Sequence, residues 1–367
     1  MADVVIVGGG VVGCSIAYYL TMAGADVTLV ERDVLAAGAS GVAAGMLAPP
    51  PEAAASGAFR DLCRAAAAVY PSLVEALSDE TGIDVQYASS GLLLVAETEA
   101  RARALQTVVR WSASGGGLNL EWVEDGPLRR LEHGISPSVR GAAYSPATRH
   151  VNPGLVTQAL AQAAAARGAT LKLGTAVTGF VRNGSRVAGV RTGGGDEIAA
   201  DRVVLAAGPW TRHLALGLGA DVPTRPMRGQ MLAYQHAGVR HILWGEDGYL
   251  VPKAGGFLFA GATVEDVGFR PRTTRRGLAG LRRMAAATVP ALRYQEEVSA
   301  WAGLRPGSPD GLPIIGRLPG WDNVYVAGGH FRNGILLGPL TGKLIAQLLT
   351  EGNTEMPLGP FSPSRFG

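Results

Sequence analysis

The chain is poor in cysteine, lysine and aromatic residues, and each shortage closes off a class of protein. Two cysteines in 367 residues, Cys14 and Cys63, cannot build a disulfide framework, so a reducing cytoplasm is the natural compartment. Neither these thiols nor the six histidines show metal-ligand spacing, and no metal is expected. Lysine occurs only at positions 172, 253 and 343, and the net charge is a modest +3. The densest basic run, FRPRTTRRGLAGLRRM from Phe269, repeats Leu278, Leu281 and Ala285 at helical spacing, which puts its arginines on the opposite, solvated face. With no aromatic side chains interleaved to stack bases, nucleic acid is not an expected partner. No stretch approaches the ~18 apolar residues of a membrane helix. The N-terminal VVIVGGGVVGCSIAYYL is preceded only by the acidic Asp3 and lacks the basic flank of a secretory signal.

What is present is a chain with 47% hydrophobic and 17% charged residues, long enough for two domains. Residues 4–7 form a β-branched run that meets three glycines, after which Val12, Ile16, Leu20 and Ala23 follow a helical period. Residues 26–30 then read as a second buried strand ending at Glu31. Residues 39–54, rich in alanine and glycine with a proline run, read as a loop. A long helix carrying Leu62, Ala66, Tyr70, Leu73 and Leu77 comes next and stops near Gly82. A strand at 91–95 and helices at 97–112 and 155–167 precede short strands with hairpin-like NGS and GGGD turns. DRVVLA at 201–206 is a further buried strand, 229–262 has the alternation of an antiparallel sheet, and a last helix covers 335–349.

The expected fold is therefore α/β with an α+β second domain. A Rossmann-like nucleotide-binding domain is assembled from discontinuous segments, 1–84, 144–212 and 303–367, and a mixed, mostly antiparallel substrate domain takes 85–143 and 213–302.

Gly8, Gly10 and Gly13 make G-x-G-x-x-G directly after a strand and at the start of a helix, the context that the motif requires. The first glycine permits the turn, the second lets backbone approach a pyrophosphate, and the third allows close packing of helix on strand. Glu31 lies 18 positions beyond Gly13, where a carboxylate accepts hydrogen bonds from an adenosine ribose. A 2′-phosphate would be repelled there. These residues predict a dinucleotide without distinguishing NAD from FAD.

The fingerprint, the loop ASGVAAGMLAP, the strand ending DRVVLAAGPW, GYLVPK, GLRPGSPDGLPIIG and the closing GGHFRNGILLGP occur in one order. In that order the chain resembles the FAD-dependent amine and amino-acid oxidases of the D-amino-acid oxidase superfamily, and within it the glycine oxidase family of thiamine (thiazole) biosynthesis. The resemblance implies that Val11, Val12, Glu31 and Arg32 line the adenosine side of FAD, and that Val177 contacts adenine through its backbone. Ala39, Ser40, Ala44, Gly45 and Met46 would pass along the pyrophosphate and ring. His330, Phe331, Arg332, Asn333, Gly334, Ile335 and Leu336 would wrap the ring. Family members that hold flavin through cysteine need a thiol in the C-terminal half, and this chain has none there, so FAD is expected to be noncovalent by that route.

For substrate, the resemblance points to Tyr249, Arg305 and Arg332, since a guanidinium can grip an α-carboxylate with two parallel charge-assisted bonds. The alternative is that these arginines pair with acids of the protein, Asp310 being a candidate for Arg305. Lys253 stands where the family often has arginine, a change expected to matter little. The implied reaction is oxidative deamination of glycine or a small amine, with hydride passing from the α-carbon to FAD and oxygen reduced to hydrogen peroxide. The imine is hydrolysed to glyoxylate or handed to a thiazole synthase, and the protein would be a homo-oligomer. A D-amino-acid dehydrogenase or a sarcosine- or proline-type oxidase is the alternative chemistry.

Overall fold

A computed structural model describes residues 4–48, 57–112, 120–235 and 238–367. The strand Val4–Val7 is buried along its whole length because parallel neighbours flank it on both sides, Val27–Val30 and Arg202–Leu205. Val324–Gly328 and Thr170–Lys172 extend the sheet in parallel, and Ile314–Arg317 closes one edge antiparallel, which gives six strands. Sequence-distant segments thus share one sheet, as a Rossmann-like domain built from separated pieces requires.

The helices Val11–Met22, Gly57–Thr81, Pro153–Ala166 and Gly334–Thr350 form one apolar core over this sheet. Leu62, Ala66, Tyr70, Leu73 and Leu77 face inward along the second of these, the predicted stripe. The first and last helices cross closely: a Cβ on Gly342 would lie 2.5 Å from the carbonyl carbon of Ser15, and one on Gly338 would lie 3.1 Å from Val11.

An eight-stranded sheet forms the second layer, with the long strand Glu297–Gly307 at one edge beside Arg225–Gln235. Its pairings are antiparallel except for Ile242–Trp244, which runs parallel to Leu92–Ala96. The helix Arg275–Thr288 lays Leu281, Met284 and Ala285 on this sheet while Arg275, Arg276, Arg282 and Arg283 stay exposed, the solvated basic face that its periodicity predicts. Strands Gly141–Ser145 and Glu297–Gly307 run across the expected domain borders at 143/144 and 302/303, and both pair within the eight-stranded sheet.

One local expectation is corrected. The segment from 39 is not all loop: Ala39–Val42 makes a helical turn. Gly41 N–H donates to the Ala36 carbonyl at 2.9 Å, and the Val42 carbonyl accepts the Trp301 indole N–H at 3.0 Å. Tertiary partners therefore complete a turn too short to persist alone. The proline run at 49–51 lies outside the described residues.

Because the first and last helices meet at backbone distance at Gly342, the variant Gly342→Ala should lose about 1–3 kcal/mol of stability through overpacking. Urea denaturation followed by far-UV circular dichroism measures it. An unchanged midpoint would show that the crossing relaxes freely.

Candidate active site

The turn after the first strand is built for close approach. Gly8 has φ +121°, and a Cβ there would sit 2.4 Å from the Ala206 carbonyl oxygen. Glu31, at the end of the neighbouring strand, accepts the Gly9 N–H on Oε2 at 2.6 Å and the Asp33 N–H on Oε1 at 3.0 Å. Its carboxylate therefore ties the glycine turn to the following loop. Ser40 reaches back from the short helical turn, and its Oγ accepts the Val11 N–H at 2.9 Å, capping a helix whose own N-cap, Gly10, has no side chain. The Arg32 guanidinium lies 3.6 Å over the Trp210 ring, which in turn meets Phe269 at 5.2 Å.

This turn opens into a cavity of about 910 Å³ that runs between the two sheets. Ligand sites occupy roughly 300–1,000 Å³, so the space is at the large end of that range. Every predicted site residue lies in its wall except Gly13 and Leu336. Gly13 does its work from behind: a Cβ would sit 2.0 Å from the Gly8 carbonyl oxygen, so helix and turn can touch only without one. Leu336 is in the apolar core under the last helix.

Tyr249, Arg305 and Arg332 line the same cavity as the glycine turn. The Tyr249 phenol lies within electrostatic reach of the Arg305 and Arg332 guanidiniums. Burial raises the phenol's pKa, while the positive charges of Arg305 and Arg332 pull it partly back. Arg305 folds over Gly229 of the adjacent strand, where a Cβ would lie 2.3 Å from its Nη2, and donates from Nη1 to the Thr263 carbonyl at 2.9 Å. Asp310 is not its partner: that carboxylate takes Arg365 at 2.8 Å. Arg332 lies 5.4 Å from the Phe331 ring centroid.

The family model described as FAD dependent oxidoreductase matches residues 3–348. The chain belongs to this family.

Among similar proteins, glycine oxidase of Geobacillus kaustophilus is 36% identical over 99% of this chain and 97% of its own length. The bifunctional protein ThiO/ThiG of Nostoc sp. is 35% identical over 99% of this chain, which spans only 55% of that relative. The crystal structure of glycine oxidase from Geobacillus kaustophilus superposes with a TM-score of 0.93, at 35% identity and covering 100% of this chain and 99% of that one.

The residues of this FAD-dependent oxidoreductase fit their cofactor. The side-chain-free glycine turn would take a pyrophosphate at the start of a helix with no acid in its first turn. The Glu31 carboxylate lines the cavity there, and the space continues unbroken to Tyr249. Neither cysteine borders the cavity, and burial raises both thiols, Cys63 to about 12. A thioether to the flavin from either is excluded.

Sequence motifs did not foretell several wall residues, among them Trp210, Gly229, Met231, Trp244, Thr263 and Phe269. Trp210 and Phe269 stood in quoted stretches read for a strand end and for a solvated basic face; the others belong to strands and a loop whose local pattern says only "sheet". His330 has a sharper outcome. It borders the cavity, yet its Nε2 meets the Thr341 hydroxyl at 3.0 Å, which pins the turn to the last helix. Burial depresses its pKa to about 4, so the ring is neutral. His150 is likewise depressed to about 4, by burial and then by the nearby Lys253 charge.

Both histidines bind a proton more readily when unfolded, where the ordinary pKa is about 6.5. Stability is then full above pH 6.5 and is lost as pH falls toward 4, by roughly 3 kcal/mol per histidine. Melting temperature measured from pH 7 to pH 4 should drop steeply, and His330→Gln should make that drop shallower.

Proposed function

We propose that this protein oxidises glycine or another amine-bearing acid of similar size, binding the substrate carboxylate with Arg332 and Arg305. The observation that carries the proposal is that two guanidiniums and a half-buried phenol line one cavity together with the dinucleotide turn. A small carboxylate is the ligand that such a donor set favours, since charge-assisted bonds to guanidinium are directional and strong. The likeness to glycine oxidases along nearly full length agrees with it.

In this proposal the six-stranded layer holds the cofactor, and Tyr249 and Arg305 of the eight-stranded sheet face the substrate. FAD, when bound, accepts two electrons from the substrate and passes them to oxygen, which gives hydrogen peroxide. The chain's own part is orientation. Arg332 and Arg305 hold the carboxylate, so the α-carbon is kept in one place, and such positioning contributes several kcal/mol. Tyr249, raised by burial, keeps its proton at neutral pH and can donate to the same carboxylate. None of the three is a base, so the amine has to arrive without its proton. The imine product would hydrolyse to glyoxylate or pass to a thiazole synthase, a hand-over favoured by relatives that join a segment like this chain to a second one. Two buried, unpaired thiols suit a reducing cytoplasm.

The deciding experiment is an anaerobic titration of the yellow protein with glycine, sarcosine, D-alanine and D-proline. Bleaching by glycine, followed by peroxide on admitting air, is the expected result. Bleaching by D-proline or D-alanine alone would move the substrate class, and bleaching without peroxide would make the protein a dehydrogenase. The value of kcat/KM for glycine should climb between pH 6 and 9 as free amine accumulates; a flat profile rejects the absence of a base. Arg332→Ala should keep its flavin and lose about 1.5–3 kcal/mol in kcat/KM, the worth of hydrogen bonds to a charged group. Normal turnover by that variant would remove Arg332 from the carboxylate site.

A further inference from the structure

Lys253 sits outside the cavity wall, yet its ammonium is wholly committed to two backbone carbonyls and a histidine beside it. Nζ donates to the Val151 carbonyl at 2.7 Å, to the Ala44 carbonyl at 3.2 Å and to His150 Nδ1 at 3.4 Å. Three donors meet three acceptors, so nothing on the ammonium is left over. Because Nδ1 accepts, His150 carries its proton on Nε2 and donates it to Ser90 Oγ at 2.9 Å. This orientation excludes His150 as a base toward Ser90 and leaves the cluster a structural task.

That task concerns the segment 44–46. Val151 N–H donates to the Gly45 carbonyl at 3.0 Å, Met46 forms a bridge with His150, and a Cβ on Gly45 would lie 2.0 Å from the Val151 carbonyl oxygen. Ala44 itself lines the cavity. The ammonium therefore holds two backbone segments together behind the cavity wall.

Lys253 is also the last residue of the strand Tyr249–Lys253, whose first residue faces the substrate end. Residues four apart on a strand share a face and lie about 13 Å from each other. Val251, between them, packs in the same apolar cluster as Ala44 and Met46. One rigid strand thus carries the substrate phenol at one end and the anchor of the 44–46 backbone at the other.

We propose that Lys253 is a positioning residue for the flavin, its ammonium pinning the 44–46 backbone against His150 and Val151 so that ring and substrate pocket keep a constant spacing. The proposal rests on the assignment of 44–46 to the ring side of FAD. It is in keeping with the expectation that lysine in place of arginine matters little here, and gives the position a reason: a donor is required, while its exact shape is secondary.

The test compares Lys253→Met, which keeps the stem and removes every donor, with Lys253→Arg, in the holoenzyme. In K253M the dissociation constant for FAD should rise at least about tenfold and the rate constant of flavin reduction by glycine fall at least about tenfold. The dissociation constant for glycine, read from the same stopped-flow traces, should stay within about twofold, and K253R should recover both losses to within about threefold. An unchanged FAD affinity and reduction rate in K253M overturns the proposal, as does a K253R variant no better than K253M. A loss confined to glycine affinity would also overturn it, because that is a substrate effect. If K253M does not fold, K253L, which also removes every donor, carries the same readouts. Should glycine and the other amines fail to reduce even the parent protein, the functional proposal falls alone, and FAD affinity with the ring's visible circular dichroism still judges Lys253.

Discussion

The close crossing of the first and last helices is the constraint on which the site depends. The helix Val11–Met22 begins at the glycine turn, and the helix Gly334–Thr350 begins at the segment that carries His330, Arg332 and Asn333. Gly338 and Gly342 let the second helix lie against Val11 and Ser15 of the first. Two helix starts far apart in the chain are thereby held side by side, and both face one cavity. Larger side chains at the crossing would separate them, and packed interiors leave little slack for that.

The second sheet supplies the opposite wall, and its register decides which of its side chains reach the cavity. Tyr249 pairs with Gly261, and Met227 with Arg305, so the phenol and the guanidinium are delivered by strands separated in the sheet. Gly229, beside Arg305, is the space into which that side chain folds. The polar groups at the site are satisfied in ways that also hold the wall together: Arg305 on the Thr263 carbonyl, His330 on Thr341, and Glu31 on two backbone amides. Leaving any of them unpaired would cost about 1–3 kcal/mol, so each bond both orients and stabilises.

Much of this was legible because it is local. A β-branched run, three spaced glycines and an apolar helical stripe specify a strand, a turn and a helix through backbone conformation and short-range packing. The stripe from Leu62 to Leu77 is buried where its period puts it. The solvated arginine face of Arg275–Thr288 follows from the same rule. Where the expectation failed, at Ala39–Val42, a contact from Trp301 more than two hundred residues away completes the turn.

By itself the sequence determined the dinucleotide turn, the acid at the end of the second strand and the order of segments that mark the family. Those follow from spacing along one stretch of chain. Only the tertiary structure decided the partners: Asp310 went to Arg365 rather than Arg305, His330 to a helix hydroxyl rather than into open cavity, and Lys253 to the carbonyls of Ala44 and Val151. A side chain's type states what bonds it can make, but which groups come within 3 Å of it is set by the packing of sheets and helices distant in sequence.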